Sequence, residues 1–259
     1  MVTTYPKILV ACPTFDGKIY CLDRWVDAVK KIDYPNYSVL LVDNSEGEGY
    51  AKRIQQLGIP VLKSGRHKLA REKITEARNV IRQKALDEGY DYLFSLEQDV
   101  MPKPDTLKKL LEHKKPIIGG VYFHMGKDNF GTVEAKPLVY MRVSDEEFEV
   151  LKNGEKFRGT EIQRKIQEGV IKGPEELNAQ LSSERIENKG VMEVYFTGLG
   201  CILIAREVLE KIRFAHSDKS FDDAVFARDA QKAGYKVLVD TAVRCAHIQY
   251  DTSWQGIEY

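Results

Sequence analysis

The chain has 259 residues, 43% hydrophobic and 30% charged, an ordinary globular balance with enough length to bury a sizeable core. Lys plus Arg and Asp plus Glu stand equal at 39 each, which excludes a global basic surface for nucleic acid and an acidic solvating tail. No window approaches the about 18 consecutive apolar residues of a membrane-spanning helix, and "MVTTYPKILVACPTF" lacks the charged-then-apolar layout of a signal peptide.

The expectation is a soluble, cytoplasmic protein, with peripheral membrane contact left open. Cys12, Cys21, Cys201 and Cys245 show no metal-binding spacing and read as buried free thiols of a reducing compartment.

In chain order, "KILVACP" is a short apolar run that predicts a buried strand stopped by Pro13. Ile19, Leu22, Trp25, Val26, Val29 and Ile32 recur at helical spacing. "YSVLLVD" predicts a second strand, ending at Asp43 and a turn-rich loop. "ITEARNVIRQKALDEG" is an amphipathic helix closed by Gly89. "DYLFSLEQD" predicts a strand, "PDTLKKLLEH" a helix with Pro104 at its start, and "PIIGGVYF" a further strand. Residues 142–190 are polar and charge-rich, and suit short helices over a site or a mobile flap. Then "VMEVYFTGLGCILIAREVLEKI" predicts strand, glycine turn, strand and helix, and "FDDAVFARDAQKAGYKVLVD" a helix and strand. This alternation predicts an α/β fold, a mostly parallel sheet with helices on both faces. No Pro/Gly/Ser linker divides residues 1–259, so one domain is expected.

In such sheets ligands bind beyond the carboxyl ends of the strands. Asp43, Glu97 and Asp99 lie at predicted strand ends and should share one edge. Residues i and i+2 of a strand point the same way, so Glu97 and Asp99 aim at one point if the strand persists that far. Two such carboxylates need a proton or a cation between them, and Mn2+ or Mg2+ suits oxygen ligands. Position alone fits a solvated acidic pair as well. Asp222 and Asp223 open a predicted helix, where Asp also serves as a cap. His247 follows a late apolar strand and is either a packing residue or a metal ligand.

Taken together, the order of pieces resembles the GT-A fold of nucleotide-sugar-dependent glycosyltransferases, in particular inverting enzymes of the family-2 type. "ILVACPTFDG", "LLVDNSEGEG", "ARNVIRQKALDEGYDYLFSLEQD", "TGLGCILIAREVLEKI" and "FDDAVFARDAQKAGYKVLVDTAVRCAHI" carry the resemblance, over residues 7 to about 125 and 194–248. It departs from the family in reading Glu97-Gln98-Asp99 for Asp-x-Asp and Asp222-Asp223 for Glu-Asp. The segment 142–190 has no counterpart.

The resemblance implies a nucleoside diphosphate-sugar donor, such as a UDP-sugar, bound across residues 1–125. Pro13 and Thr14 would line the base pocket, with Asp43 on the base or ribose, Arg78 on the base or diphosphate, and Asn79 behind it. Asp99, with Glu97 and His247, would hold a divalent cation, Mn2+ or Mg2+. Glu97 would alternatively reach the sugar or ribose. Asp223 would be the general base, with Asp222 beside it, acting on a glycan, lipid or protein acceptor held by residues 126–259. Tyr250 and Trp254 suit sugar stacking or simple docking of the C-terminus. A sugar nucleotidyltransferase and a non-catalytic sugar-nucleotide-binding protein are the alternatives. The first usually needs a glycine-rich basic loop, and "ACPTFDGKIY" offers one Gly and Lys18.

Overall fold

The computed structural model describes residues 5–65, 67–127, 133–187, 189–218 and 220–249. Tyr250 and Trp254 lie outside the described residues. The first half runs β1 (Ile8–Thr14), α1 (Ile19–Val29), β2 (Tyr37–Asp43), α2 (Gly49–Gln56), β3 (Val61–Lys63), α3 (Ala70–Asp87), β4 (Tyr92–Leu96), β5 (Val100–Met101), α4 (Thr106–Glu112) and β6 (Ile117–Val121). The second runs β7 (Phe123–Lys127), β8 (Val133–Pro137), β9 (Val139–Arg142), α5 (Asp145–Asn153), α6 (Glu161–Gln167), β10 (Asn178–Gln180), α7 (Ser183–Ile186) and β11 (Val191–Val194). It ends with β12 (Phe196–Thr197), β13 (Cys201–Ala205), α8 (Arg206–Lys211), α9 (Asp222–Lys232), β14 (Val237–Arg244) and β15 (Ala246–His247).

The central sheet has the order β11-β14-β6-β13-β4-β1-β2-β3. Its parallel pairs are β1 with β2 and β4, β2 with β3, and β6 with β14. Strand β13 runs antiparallel between β4 and β6, and β11 lies antiparallel on β14. The sheet is mostly parallel and carries helices on both faces, because side chains alternate across each strand. Ile8, Val10 and Cys12 of β1 pack with Leu22 and Trp25 of α1, Ile54 of α2 and Leu107 of α4. Leu9 and Ala11 point the other way, toward Ala77 and Ile81 of α3, Val208 of α8 and Phe226 of α9.

Two local expectations change. Strand β1 does not stop before Pro13 but continues to Thr14, with Pro13 opposite Val42. Pairing with β4 ends at Ala11 opposite Ser95, so the N–H that Pro13 lacks is not needed by a ladder bond on that side. The turn-rich loop after Asp43 contains a helix, α2, which buries Tyr50, Ala51 and Ile54.

Residues 142–190 form short helices. Ser144, Thr160 and Ser182 each accept a backbone N–H at the start of α5, α6 and α7, with Glu147 completing a capping box on Ser144. The polar composition that hides any long periodicity is in part capping chemistry. Val143, Phe148 and Ile166 close a small core of their own. The sheet β10-β9-β12 joins this segment to the rest. Among the described residues, no helix is long and apolar enough to cross a membrane, and all four cysteines are buried free thiols.

Candidate active site

Strands β1, β2 and β4 are parallel, so Thr14, Asp43 and Leu96 end at one edge of the sheet. Because β13 is antiparallel, its start reaches that same edge, with Cys201 opposite Leu96. The "TGLG" turn therefore meets the "EQD" segment, and Glu97 N–H bonds Gly200 O at 3.0 Å. Tyr122 explains the glycines. Its hydroxyl accepts Gly200 N–H at 3.0 Å, and a Cβ at Gly198 would lie 2.1 Å from that oxygen.

Strand geometry does not persist to Asp99. Strand β4 ends at Leu96, and Val100 N–H turns back to Glu97 O at 2.9 Å. The expected common aim of Glu97 and Asp99 gives way to separate partners. Glu97 Oε1 accepts from Arg78 Nη2 at 2.7 Å. Burial pushes its carboxyl above the usual carboxylate range, with the Asp99 charge adding and Arg78 opposing, although 34% of its side-chain surface stays open to the cleft. Asp99 Oδ2 pairs with the Lys18 ammonium and lies 3.4 Å from His247 Nε2. Burial alone would raise the Asp99 carboxyl, but His247 and Lys18 prevail and hold it at about 2. Its other oxygen, Oδ1, is buried without a hydrogen-bond partner among the described residues.

His247 reaches Asp99 through the sheet. Strand β15 pairs with β5, His247 opposite Val100, and Ile248 N–H bonds Asp99 O at 2.8 Å. His247 Nδ1 sits 2.8 Å from the Phe123 carbonyl, which can only accept, so Nδ1 carries the proton. Nε2 then faces the Asp99 carboxylate and carries either a second proton or a share in a cation. Burial pulls the imidazole down, and Asp99 overcomes this to hold it above its ordinary value. An orphaned carboxylate oxygen beside an imidazole whose far nitrogen is fixed by a carbonyl fits a divalent cation. Among the described residues, no three His, Cys, Asp or Glu side chains form a ready cage.

Gln98, between the two carboxylates, is buried. Its carbonyl accepts the Thr14 hydroxyl, and its Nε2 donates to Lys18 O at 3.1 Å and Tyr50 Oη at 2.7 Å. Thr14 is thus turned toward Gln98, while Pro13 and Thr14 both line a cleft. One part of that cleft, about 170 Å³, is bounded by Pro13, Phe15, Lys18, Arg78 and Glu97. A second part of about 420 Å³ shares Phe15, Asn44 and Ile74 with it and extends to Ser45, Glu46, Lys68 and Lys73.

Asp43 is fully buried beside this cleft. Its Oδ1 accepts Ser45 N–H at 2.9 Å and its Oδ2 accepts Lys63 Nζ at 2.9 Å. Lys63 also donates to Ser45 O at 2.6 Å and Gly47 O at 2.8 Å, so the pair fixes the loop that forms one cleft wall. Arg78 is buried and spans the floor. It donates to Ser95 Oγ at 2.8 Å and to Glu97, and its Nε pairs with Asp222. Asn79 faces elsewhere, bonding Phe214 N–H and O at 3.1 and 2.9 Å, and so ties α3 to the segment that leads into α9.

Neither Asp222 nor Asp223 is the N-cap of α9; that position is Phe221. Asp222 is spent on Arg78. Asp223 Oδ1 accepts Ala224 N–H at 2.7 Å. Burial raises its carboxyl to about 6, against that bond, with Asp222 and Glu97 adding to the rise. A carboxylate so placed is a competent proton acceptor near neutral pH. The sequence pattern alone singles out neither Lys18, Gln98, Lys63 nor Tyr122. Gln98 was within reach, being the middle of the "EQD" triplet.

No protein-family model matches the chain, and no curated protein matches it in sequence. Solved structures do match. The mannosyltransferase PcManGT from Pyrobaculum calidifontis, in complex with GDP-Man and Mn2+, aligns at TM-score 0.57 and 14% identity over 98% of this chain and 59% of its own. GalNAc-T7 with UDP, GalNAc and Mn2+ aligns at 0.62 and 15% over 99% of this chain and 46% of its own. TarS residues 1–349 from S. aureus, in complex with UDP-GlcNAc, align at 0.52 and 14% over 98% and 61%. The chain therefore spans about half the length of these structures. At this level of identity the likeness is one of fold: the chain has the GT-A fold.

Proposed function

We propose that the protein is a glycosyltransferase that moves a sugar from a nucleoside diphosphate-sugar to an acceptor hydroxyl with inversion. One observation carries the reading. A cleft at the carboxyl edge of β1, β2 and β4 is bounded by Lys18, Arg78 and Glu97; behind it Lys18 pairs with Asp99, which lies 3.4 Å from His247, while Asp223, a carboxyl raised to about 6, opens the helix whose Asp222 pairs with Arg78. Proteins of the same fold hold GDP-Man or UDP together with Mn2+.

In this reading residues 1–259 work as one domain, with 1–125 binding the donor and 126–259 serving the acceptor. The base and ribose occupy the larger part of the cleft, against Phe15 and the loop that Asp43 and Lys63 hold. Asp99 and His247 would hold a divalent cation, which when bound supplies Lewis-acid neutralisation of the departing nucleoside diphosphate. Glu97, held by Arg78, faces the donor sugar or its ribose. Asp223 takes the proton from the acceptor hydroxyl as that oxygen forms the bond to the anomeric carbon and the diphosphate oxygen leaves. Tyr140, the stacked partner of Phe196 at 4.2 Å, would serve the acceptor side.

The test is donor consumption with Mn2+ and a panel of UDP- and GDP-sugars. Wild-type protein should release the nucleoside diphosphate, and Asp223→Asn should lose about 10²–10⁴ in rate while retaining donor binding. Pyrophosphate release from a nucleoside triphosphate and a sugar phosphate would overturn the reading in favour of nucleotidyl transfer.

A further inference from the structure

Lys18 is a charged cleft residue that this reaction scheme leaves unassigned, and it is built in from both ends. Its carbonyl accepts Gln98 Nε2 at 3.1 Å and Cys21 Sγ at 3.2 Å. Its ammonium pairs with Asp99 Oδ2, where 28% of the Lys18 side chain and 8% of the Asp99 side chain remain exposed. The same "EQD" triplet that offers the metal-side carboxylate thus also positions a cation on it. Among the described residues, Asp99 Oδ1, on the far side of the carboxyl, has no hydrogen-bond partner. Lys18 also lines the smaller part of the cleft beside Arg78 and Glu97.

A divalent ion and an ammonium on one buried carboxylate repel each other. We propose that Lys18 is a resident cation that competes with the divalent ion for Asp99. When the metal loads with a nucleoside diphosphate, the Lys18 ammonium leaves Asp99 and turns to the phosphates. The second half of this statement rests on the donor-binding reading above; the competition itself does not. The ammonium is a compact point charge on a flexible four-carbon stem, suited to exchange between a carboxylate and a phosphate. The arrangement makes Lys18 a determinant of metal affinity and couples metal entry to donor entry.

The experiment is a Mn2+ titration followed by electron paramagnetic resonance, without nucleotide and then with UDP or GDP. Lys18→Met should bind Mn2+ alone about tenfold more tightly than wild type, equivalent to about 1.4 kcal/mol. Lys18→Arg, which keeps the charge, should bind like wild type. Introducing Asp99→Asn into both wild type and the Lys18→Met variant should abolish the difference between them, placing the ion at Asp99. Adding UDP or GDP should tighten Mn2+ binding more in wild type than in Lys18→Met. Lys18→Gln serves as the neutral variant if the methionine variant does not fold. Equal or weaker Mn2+ binding by the neutral variants, Lys18→Arg binding as tightly as Lys18→Met, or no Mn2+ binding by any form would overturn the proposal. Because the competition is read without a sugar donor, its failure leaves the transfer reaction standing. Absence of transfer with the competition intact would instead remove only the reaction.

Discussion

Replacing Arg78 with methionine removes the guanidinium that joins β4 to α9. It donates hydrogen bonds to Ser95 and Glu97 and forms an ion pair with Asp222. Deleting one partner of a buried ion pair costs about 3–5 kcal/mol, because the other charge is left uncompensated. Asp222, with 6% of its side chain exposed, bears most of that cost. Glu97, at 34%, is relieved in part by water. The lower end of the range, about 3 kcal/mol, is therefore expected. For a chain of this size each kcal/mol moves the melting midpoint by about 2–4 °C, so Arg78→Met should melt about 6–12 °C lower. Adding Asp222→Asn should recover at least half of the loss, since removing both partners avoids the orphaned charge. The assay is thermal unfolding of the single and double variants at neutral pH. A single variant within about 2 °C of wild type, less than one kcal/mol at this size, or no recovery in the double, would refute the view of Arg78 as the strut of the floor.

The pH profile of transfer should rise through about 6, where Asp223 loses its proton and becomes able to accept one, and fall away below it; Asp223→Asn should remove that limb from a plot of kcat/KM. Gly198→Ala places a Cβ 2.1 Å from the Tyr122 hydroxyl, and a urea titration should show a loss of about 1–3 kcal/mol from overpacking, relieved by a smaller residue at position 122. Lys63→Met leaves the fully buried Asp43 without its cation and frees the Ser45 and Gly47 carbonyls; the expected result is a loss of about 3 kcal/mol with a raised donor KM.

Much of the fold was legible because strands β1, β2 and β4 are short apolar runs bounded by turn residues, and because α3 is amphipathic and ends before Gly89, whose φ of +69° is the left-handed cap conformation. Strand ends marked the edge for Asp43, Glu97 and Asp99, but β4 stops at Leu96 and the chain turns back at Val100, so Glu97 and Asp99 take separate partners. What alternation does not encode is the antiparallel placement of β13 between β4 and β6, which carries "TGLG" to Glu97. Nor does local pattern encode pairings across long stretches of chain. Lys18 meets Asp99, Arg78 meets Asp222, and His247 meets Asp99 only after the sheet has formed. Arg78 and Asp43 were picked out by resemblance as donor-binding groups. Their geometry adds a structural task to each, Arg78 with Asp222 and Glu97, and Asp43 with Lys63.

The central claim is a metal-assisted nucleotide-sugar cleft, and a thermal-shift screen tests it most directly. Purified protein would be melted with UDP-, GDP-, CMP- and dTDP-sugars, each with Mn2+, Mg2+ or EDTA. A ligand at about a hundred times its dissociation constant adds about 2.7 kcal/mol to the folded state. The predicted result is a rise in melting temperature with one nucleotide, dependent on the cation and lost in Asp99→Ala. No rise with any donor, or a rise unaffected by both EDTA and the Asp99 substitution, would contradict it.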